Sequence, residues 1–373
     1  MSVKQHVGII FGTRPEAIKV AAVQKQCIAD GMEVSLICTG QHLELLQPIL
    51  SLFDMVPTIT LDVMQPGQSL SQLTERTVGQ LGATFQKNRY DYVLVQGDTT
   101  TAFAGALSAF YEKIPVGHIE AGLRTNDKYS PFPEEINRRL ISNIADDHFA
   151  PTQLAANNLL AENYAEQAIH ITGNTVIDAL RWVQENCSAE LDAAVDRLGI
   201  ADLQYVLLTT HRRENFGKPL ENILGAVEDF LDQHGDQSVV IPVHRNPIVR
   251  DAIYGRFEDH PRVLLLDAQG YLEFVCLMKN AQFIVTDSGG IQEEAPYLGK
   301  RVLVIRDTTE RPEAIESGTA ILVGVEHAEI LKSMSSAHDE AKNSDGSKLR
   351  SANPFGDGFA SKRITRVIRD HSE

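Results

Sequence analysis

The stretch AQFIVTDSGGIQEE, residues 281–294, contains the pattern that decides the fold. An apolar run from Ala281 to Val285 leads into two glycines, and a helix-like pattern begins after them. A strand that turns into a helix in this way leaves backbone N–H groups and the positive end of the helix dipole facing outward, which suits phosphate oxygens. The pattern therefore predicts a diphosphate site, with Ser288 as a hydroxyl donor. An ordinary turn, in which Ser288 or Asp287 caps the helix, is the alternative.

The same alternation of short apolar runs and longer helical segments continues along the chain. It is typical of parallel sheets with helices on both faces. Predicted strands lie near Val7–Phe11, Val34–Cys38, Tyr92–Val95, Val116–Ile119 and Ile169–Thr172, and then near Tyr205–Thr209, Val239–Val243, Val263–Leu266, Phe283–Thr286 and Val302–Ile305. We therefore predict an α/β protein with two Rossmann-like, doubly wound domains that face a central cleft.

A chain of 373 residues is too long for one ordinary α/β core. The stretch Glu185–Ala201 is polar and helical and contains no strand pattern, so we place the boundary there. The expected domains are residues 1–185 and 186–358. Residues 359–373 are expected to form a closing helix that returns to the first domain. The Ser-, Asn-, Asp- and Lys-rich stretch His338–Ser351 is predicted to be a loop.

Composition limits the classes of partner. A net charge of −16 argues against general binding to nucleic acid or to an acidic membrane. The four cysteines form no CxxC pair or zinc-like spacing, so they are expected to be buried thiols in a reducing cytoplasm. The N-terminal segment has no signal-peptide pattern, and no apolar run has the length of a membrane span.

A second anion site is predicted after the first strand. No GxGxxG or P-loop is present, and the strand is followed instead by GTRPEAIK, residues 12–19. Pro15 suits the first turn of a helix, while Arg14 and Lys19 place two cations at the carboxyl edge of the sheet. A solvated turn with incidental charges is the alternative.

Three carboxylates are predicted near the same edge. Asp98 and Glu120 each follow a predicted strand, and Glu134 lies in a loop before a helical segment. Carboxylates that converge out of water raise one another's pKa, which suits them to proton transfer near neutral pH. Asp98 and Glu134 also have a structural alternative as helix caps.

Histidines end two strands of the second domain. His211 stands in THRREN, residues 210–215, and His244 stands in PVHRNP, residues 242–247. A histidine beside a phosphate can donate a hydrogen bond to it or protonate a departing oxygen. A purely structural hydrogen-bonding role is the alternative for each. His118, within a strand, is expected to belong to the core.

Seven segments together resemble one enzyme family. They are Gly12–Glu16, Gln96–Asp98, His118–Arg124, Pro133–Arg138, Thr210–Asn215, Asp287–Gly290 and Asn353–Gly358. In this order they span nearly the whole chain, and they are similar to the non-hydrolysing UDP-N-acetylglucosamine 2-epimerases. The resemblance implies the two-domain GT-B fold, a cytoplasmic homodimer, no metal or redox cofactor, and interconversion of UDP-N-acetylglucosamine with UDP-N-acetylmannosamine. Synthesis of a cell-envelope polysaccharide or of another glycan is compatible with this activity, and the sequence does not choose between them.

The resemblance further implies roles for individual residues. Asp98, Glu120, Glu134 and His211 match the catalytic set. The substrate-binding set is matched by Arg14, Lys19, Gln269, Phe274, Ser288, Gly289, Gly290, Glu294 and Arg311, with Gln269 and Phe274 near the uracil and Glu294 at the ribose. Gln41, His42, Gln68, Arg212 and His244 are further candidates for the cleft or for a second ligand site.

The reaction implied by the resemblance begins with elimination of UDP to 2-acetamidoglucal, because the C2 proton has no adjacent ring carbonyl. UDP then adds back with the proton on the other face, which requires an acid, a base and a stabilised leaving group. A hydrolysing epimerase that releases UDP and N-acetylmannosamine is one alternative. A UDP-sugar glycosyltransferase is another, since the fold and Glu294 alone would allow it.

Substrate activation in the resembled family coincides with a Gln-His-Arg segment after the second strand. Here the segment has Leu43 in place of the cation. We therefore predict weak or absent cooperativity between substrate molecules.

Overall fold

The computed structural model describes residues 4–40 and 43–371, and within these residues the chain forms two parallel sheets. It divides into a first unit of residues 1–182 and 355–373, and a second unit of residues 183–354. The domain boundaries expected from the sequence, after residues 185 and 358, lie a few residues further along the chain. The first change of unit falls inside a continuous helix, Thr175–Asn186, so no break in the residue pattern marks it.

The first unit is a seven-stranded sheet covered by helices. The strands are β1 His6–Phe11, β2 Glu33–Cys38, β3 Ile59–Thr60, β4 Tyr92–Gln96, β5 Val116–Ile119, β6 Asp147–Ala150 and β7 Ile169–Ile171, in the order β3-β2-β1-β4-β5-β6-β7. The helices are α1 Arg14–Ala29, α2 Leu43–Leu52, α3 Leu70–Lys87, α4 Thr100–Tyr111, α5 Glu134–Ile144, α6 Gln153–Ala161 and α7 Thr175–Asn186. The central strands are buried on both faces, which explains their continuous apolar runs.

The second unit repeats this plan with six parallel strands. They are β8 Tyr205–Thr209, β9 Ser238–Pro242, β10 Val263–Leu266, β11 Phe283–Thr286, β12 Arg301–Val304 and β13 Ala320–Leu322, in the order β10-β9-β8-β11-β12-β13. The helices are α8 Ser188–Leu198, α9 Lys218–Gln233, α10 Pro247–Phe257, α11 Tyr271–Asn280, α12 Gly289–Glu294, α13 Pro312–Glu316, α14 His327–Lys342 and α15 Ser347–Ser351. The predicted pair of Rossmann-like domains is confirmed.

The closing helix, α16 Ala360–Asp370, belongs to the first unit and packs against α1, as predicted. Asp178 of α7 holds its start, because its carboxylate accepts hydrogen bonds from the backbone N–H groups of Ala360 (3.0 Å) and Ser361 (2.7 Å). The Ser361 hydroxyl donates to the same carboxylate. A side chain of one helix therefore supplies the N-terminal cap of another.

The predicted loop at residues 338–351 is wrong. α14 continues to Lys342, and α15 occupies Ser347–Ser351. The segment is polar in composition, but its buried residues recur at helical spacing: Ile330, Met334 and the fully buried His338 face the core. His118 is likewise fully buried within β5, as expected.

The four cysteines are buried and form no disulfide in the described part of the chain. This agrees with the predicted buried thiols. In the ranges 4–40 and 43–371, no helix combines the length and the apolar character needed to traverse a bilayer.

Candidate active site

Each unit has one point where the order of its strands reverses. In the first unit this point lies between β1 and β4, and in the second between β8 and β11. Ligands of doubly wound sheets bind in the crevice at the carboxyl ends of the strands at such points. Both predicted anion-binding turns, residues 12–19 and 286–294, begin there.

Glu16 joins the two loops at the first reversal point. Its carboxylate accepts hydrogen bonds from the backbone N–H groups of Gly12 (2.9 Å) and Thr13 (2.7 Å), and from the Thr99 hydroxyl (2.5 Å). Burial raises its pKa, while these hydrogen bonds oppose that shift. The Thr13-x-x-Glu16 spacing is that of a capping box, and this is the signal in the sequence that points to a structural role for Glu16. Arg14 is exposed beside it, and no described residue pairs with its guanidinium group.

Glu120 is held by three side chains directly after β5. Lys19 Nζ lies 2.5 Å from Oε1, Gln96 Nε2 donates to Oε2 (2.6 Å), and Asn174 Nδ2 donates to Oε1 (3.0 Å). The Glu120 side chain is 8% exposed, and its φ of +68° lies in the left-handed region that L-residues rarely adopt. Such strain is typical of functional positions. Lys19, predicted to bind substrate, forms an ion pair with this carboxylate.

Asp98 follows β4 and points to Arg138 of α5. Both Nε and Nη2 of Arg138 lie 2.8 Å from its Oδ2, and its carbonyl oxygen accepts a hydrogen bond from Asn137 (2.8 Å). Asp98 does not cap α4, because Thr99 takes that position. A methyl group placed on Gly97 would lie 3.7 Å from Oε2 of Glu120, so the loops that carry Asp98 and Glu120 are adjacent.

Glu134 begins α5 one turn before Arg138, which binds Asp98. Residues four apart on a helix share a face. Glu134 is partly exposed, and within the described ranges its carboxylate has no hydrogen-bond or ion-pair partner. Its neighbour Glu135 is 1% exposed and accepts from Thr125 N–H (3.0 Å) and Arg138 (3.1 Å). The structural carboxylate is therefore Glu135, whereas that of Glu134 is available for chemistry.

At the second reversal point, Asp287 organises the loop that carries His211. Asp287 is fully buried, and its Oδ2 accepts from the backbone N–H groups of His211 and Arg212 (2.9 Å each) and from Asn215 (3.0 Å). His211 Nδ1 lies 3.0 Å from Oδ1. Burial raises the pKa of Asp287, but His211 and the backbone N–H of Arg212 outweigh it and lower the pKa to about 2.

His211 is thereby oriented with Nδ1 toward a carboxylate, which leaves Nε2 on the opposite side of a ring that is 41% exposed. A carboxylate bound to one ring nitrogen of a histidine fixes the orientation of the ring. Sequence reasoning singled out His211 but not Asp287. The signal was an acidic residue directly after a fully buried strand, where an unpaired charge would be costly.

The turn Ser288–Gly290 has a cation beside it. A methyl group on Gly289 would lie 4.0 Å from the guanidinium carbon of Arg311, which is oriented by Glu293 (Nε to Oε1, 2.5 Å). Ser288 precedes α12, and its side chain makes no capping hydrogen bond. Ser288 therefore occupies the N-cap position, as the alternative has it, but its hydroxyl makes no capping hydrogen bond.

Glu294 connects this turn to α11. A methyl group on Gly290 would lie 3.8 Å from its Oε1, and its Oε2 accepts from the Tyr271 hydroxyl at 3.4 Å. Gln269 and Phe274 flank the start of α11, on either side of Tyr271. The residues predicted for uracil and ribose therefore lie on two segments that Tyr271 links.

The remaining candidates have different surroundings. Arg212 donates to the carbonyl oxygen of Asp287 (3.0 Å), and the His244 ring lies 5.7 Å from that of His211, centroid to centroid. Burial lowers the pKa of His244, with a smaller effect from His211. Gln68 is occupied by local contacts, since its Oε1 accepts from Arg76 (2.6 Å). Gln41 and His42 lie outside the described residues.

Among residues 4–40 and 43–371, no group of three or more His, Cys, Asp or Glu side chains is arranged to hold a metal ion.

The chain is similar to one family of known proteins over most of its length. Residues 25–369 match the family described as UDP-N-acetylglucosamine 2-epimerase. The chain is 46% identical over 369 residues to the UDP-N-acetylglucosamine 2-epimerase of Escherichia coli (strain K12), covering 97% of this chain and 98% of that protein.

Two solved structures are similar over almost the whole chain. The UDP-GlcNAc 2-epimerase from Neisseria meningitidis bound to UDP-GlcNAc is 42% identical with a TM-score of 0.85, covering 98% of this chain and 100% of that one. The Methanocaldococcus jannaschii UDP-GlcNAc 2-epimerase in complex with UDP-GlcNAc and UDP is 34% identical with a TM-score of 0.78, at the same coverage.

Proposed function

Since this chain belongs to the UDP-N-acetylglucosamine 2-epimerase family, we propose that it interconverts UDP-N-acetylglucosamine and UDP-N-acetylmannosamine without net hydrolysis. It is an isomerase, and its substrate is a nucleotide sugar whose stereochemistry changes at C2. The observation that carries the proposal is the clustering of Asp98 and Glu120 on adjacent loops, with Glu134 on the helix that binds Asp98. Proton transfer at C2 needs such groups.

The proposed reaction has two halves. In the first, a carboxylate removes the C2 proton while the C1–O bond to UDP breaks, giving 2-acetamidoglucal and UDP. In the second, UDP adds to C1 and a proton is delivered to the other face of C2. Glu134 is suited to a proton-transfer step because its carboxylate is not engaged by any described residue. Arg138 orients Asp98, and Lys19 orients Glu120. These two carboxylates would supply the remaining proton transfers and the negative charge around C2.

His211 has the proposed role of stabilising the departing UDP. Asp287 holds Nδ1 of His211 at 3.0 Å, and in this role Nε2–H would donate to a phosphate oxygen of UDP. Arg311 and the Ser288–Gly290 turn would complete this phosphate site in the second unit. Arg14 and Lys19 of the first unit keep their proposed part in substrate binding.

Recognition of the nucleoside is proposed for the second unit. Glu294 would accept hydrogen bonds from the ribose hydroxyls, while Gln269 and Phe274 would contact the uracil. The support for this assignment is the Tyr271–Glu294 contact, which brings the start of α11 to the end of α12.

An NMR experiment in deuterated water tests the proposal. The purified protein is incubated with UDP-N-acetylglucosamine, without added metal or cofactor, and the sugar signals are followed. We expect an equilibrium mixture with UDP-N-acetylmannosamine and deuterium at C2 in both sugars. Release of UDP with free N-acetylmannosamine would indicate the hydrolysing reaction instead. If neither exchange nor release is observed, the result would favour a glycosyltransferase. That activity would then be tested with acceptor sugars.

We also propose a cytoplasmic homodimer that needs no cofactor, as the family resemblance implies. Four buried thiols are consistent with a reducing compartment. Light scattering after gel filtration tests the assembly, and a mass equal to one chain would refute the dimer.

A further inference from the structure

Asn174 lies where β7 meets α7, and its amide is fixed in one orientation. The residue is 3% exposed. Its Oδ1 accepts a hydrogen bond from the backbone N–H of Val176 (3.1 Å), in the first turn of α7. The NH2 group must therefore point the other way, and there Nδ2 donates to Oε1 of Glu120 at 3.0 Å. The start of a helix thus sets the direction of a hydrogen bond to a proposed catalytic carboxylate.

The backbone of Asn174 is fixed by the segment that returns to the first unit. Its N–H donates to the carbonyl oxygen of Phe355 at 2.7 Å. Gly173 and Gly356 approach closely, since a methyl group on Gly356 would lie 3.1 Å from the Cα of Gly173. Both glycines have positive φ, +86° and +118°, which side chains disfavour. The returning chain therefore determines where the Asn174 amide stands.

A second buried amide binds the other oxygen of Glu120. Gln96 is 2% exposed, and its Nε2 donates to Oε2 at 2.6 Å. One amide on each oxygen fixes the plane of the carboxylate. Neither amide adds a charge at this carboxylate, whereas Lys19 Nζ, 2.5 Å from Oε1, does.

We propose that Asn174 is a positioning residue for Glu120, and that the Phe355–Gly356 segment transmits its position from the C-terminal part of the chain. The inference rests on the proposed function, in which Glu120 takes part in proton transfer. A carboxylate that is misplaced by about 1 Å loses roughly 100-fold in rate.

A double-mutant cycle tests whether Asn174 acts through Glu120. Asn174→Ala should lower kcat for epimerisation about 100-fold, with little change in KM, because the proposed UDP contacts lie on other residues. In the Glu120→Gln background the same substitution should cause no further loss. Asn88→Ala, which removes a local amide-to-carbonyl bond in the same unit, is the control and should keep normal turnover.

The pH profile of Asn174→Asp distinguishes positioning from simple support of the fold. Aspartate keeps the oxygen that accepts from Val176 but places a like charge beside Glu120. A like charge raises the pKa of a carboxylate, so the acidic limb of the kcat profile should move to higher pH. If residue 174 does not act on Glu120 during turnover, the profile should stay where it is, whatever happens to the melting temperature.

The outcomes distinguish a failure of the proposed mechanism from a failure of the Asn174 inference alone. Normal turnover in Glu120→Gln would remove Glu120 from the proposed mechanism, and this inference with it. If Glu120→Gln is impaired while both Asn174 variants have wild-type kcat and pH profiles, the inference alone is overturned. Full, additive losses in the double variant would also overturn it.

Discussion

Glu134 and Glu135 are adjacent carboxylates with opposite surroundings, and this contrast gives a prediction at the residue scale. Glu134→Gln should lower kcat roughly 100- to 10,000-fold, because an acid–base group is lost. The melting temperature should hardly change, since no described residue binds that carboxylate. Turnover by NMR and thermal unfolding by circular dichroism check both parts.

Glu135→Gln is the matched control. It removes a buried charge that binds Arg138 and Arg139 and two backbone N–H groups. Breaking such a buried network costs about 3 kcal/mol or more, so this variant should unfold at a clearly lower temperature. Equal stability of the two variants would contradict the roles assigned to these side chains.

The lowered pKa of Asp287 predicts how the free energy of unfolding depends on pH. Its pKa is about 2 in the folded protein, against an ordinary value of 3.8. The folded state therefore gains stability from the carboxylate above pH 4 and loses it as pH falls toward 2, by about 1 kcal/mol at pH 3. Asp287→Asn lacks this titration, so the difference in unfolding free energy between wild type and variant should narrow as pH falls. Urea titrations from pH 6 to 3 measure it, and a constant difference would refute the assignment.

At this scale the sequence identified the candidate catalytic residues and Lys19, but not the other side chains that hold them. Asp98, Glu120 and His211 follow predicted strands, so their place on the sheet edge could be deduced. Their partners Arg138 and Asp287 are separated from them by 40 and 76 residues, and only tertiary structure brings them together.

At the scale of elements, the cap of α16 carries a prediction. Asp178→Ala leaves the N–H groups of Ala360 and Ser361 without their acceptor, which should cost about 2 kcal/mol. Hydrogen exchange should then speed up across α16 more than in α4. Ser361→Ala, which removes only the hydroxyl contact, is the control with the smaller effect. Unchanged exchange in α16 would show that packing on α1 alone holds the helix.

Elements with continuous apolar runs could be predicted, and those without them were missed. β6 has Asp147 and His148 at buried positions, so its apolar pattern is broken. β3 has two residues, and β13 lies at a sheet edge with Ile321 and Leu322 exposed. These three strands depend on pairing with a neighbour rather than on their own residue pattern.

At the scale of the whole molecule, the dependence of rate on substrate concentration carries a prediction. Leu43 stands where the resembled family has a cation, and we expect a hyperbolic curve for UDP-N-acetylglucosamine. Initial rates over a wide concentration range measure it. A clearly sigmoidal curve would mean that a second substrate molecule activates the enzyme through residues other than a cation at position 43.

The order of the chain has a consequence for biosynthesis. The ribosome makes residues 355–370 after the entire second unit, yet these residues hold Asn174 and complete the packing on α1. The first sheet can assemble early in translation, but its Glu120 is fully supported only once nearly all of the chain has emerged. A nascent chain that stops within the second unit therefore lacks part of the scaffold of its own active site.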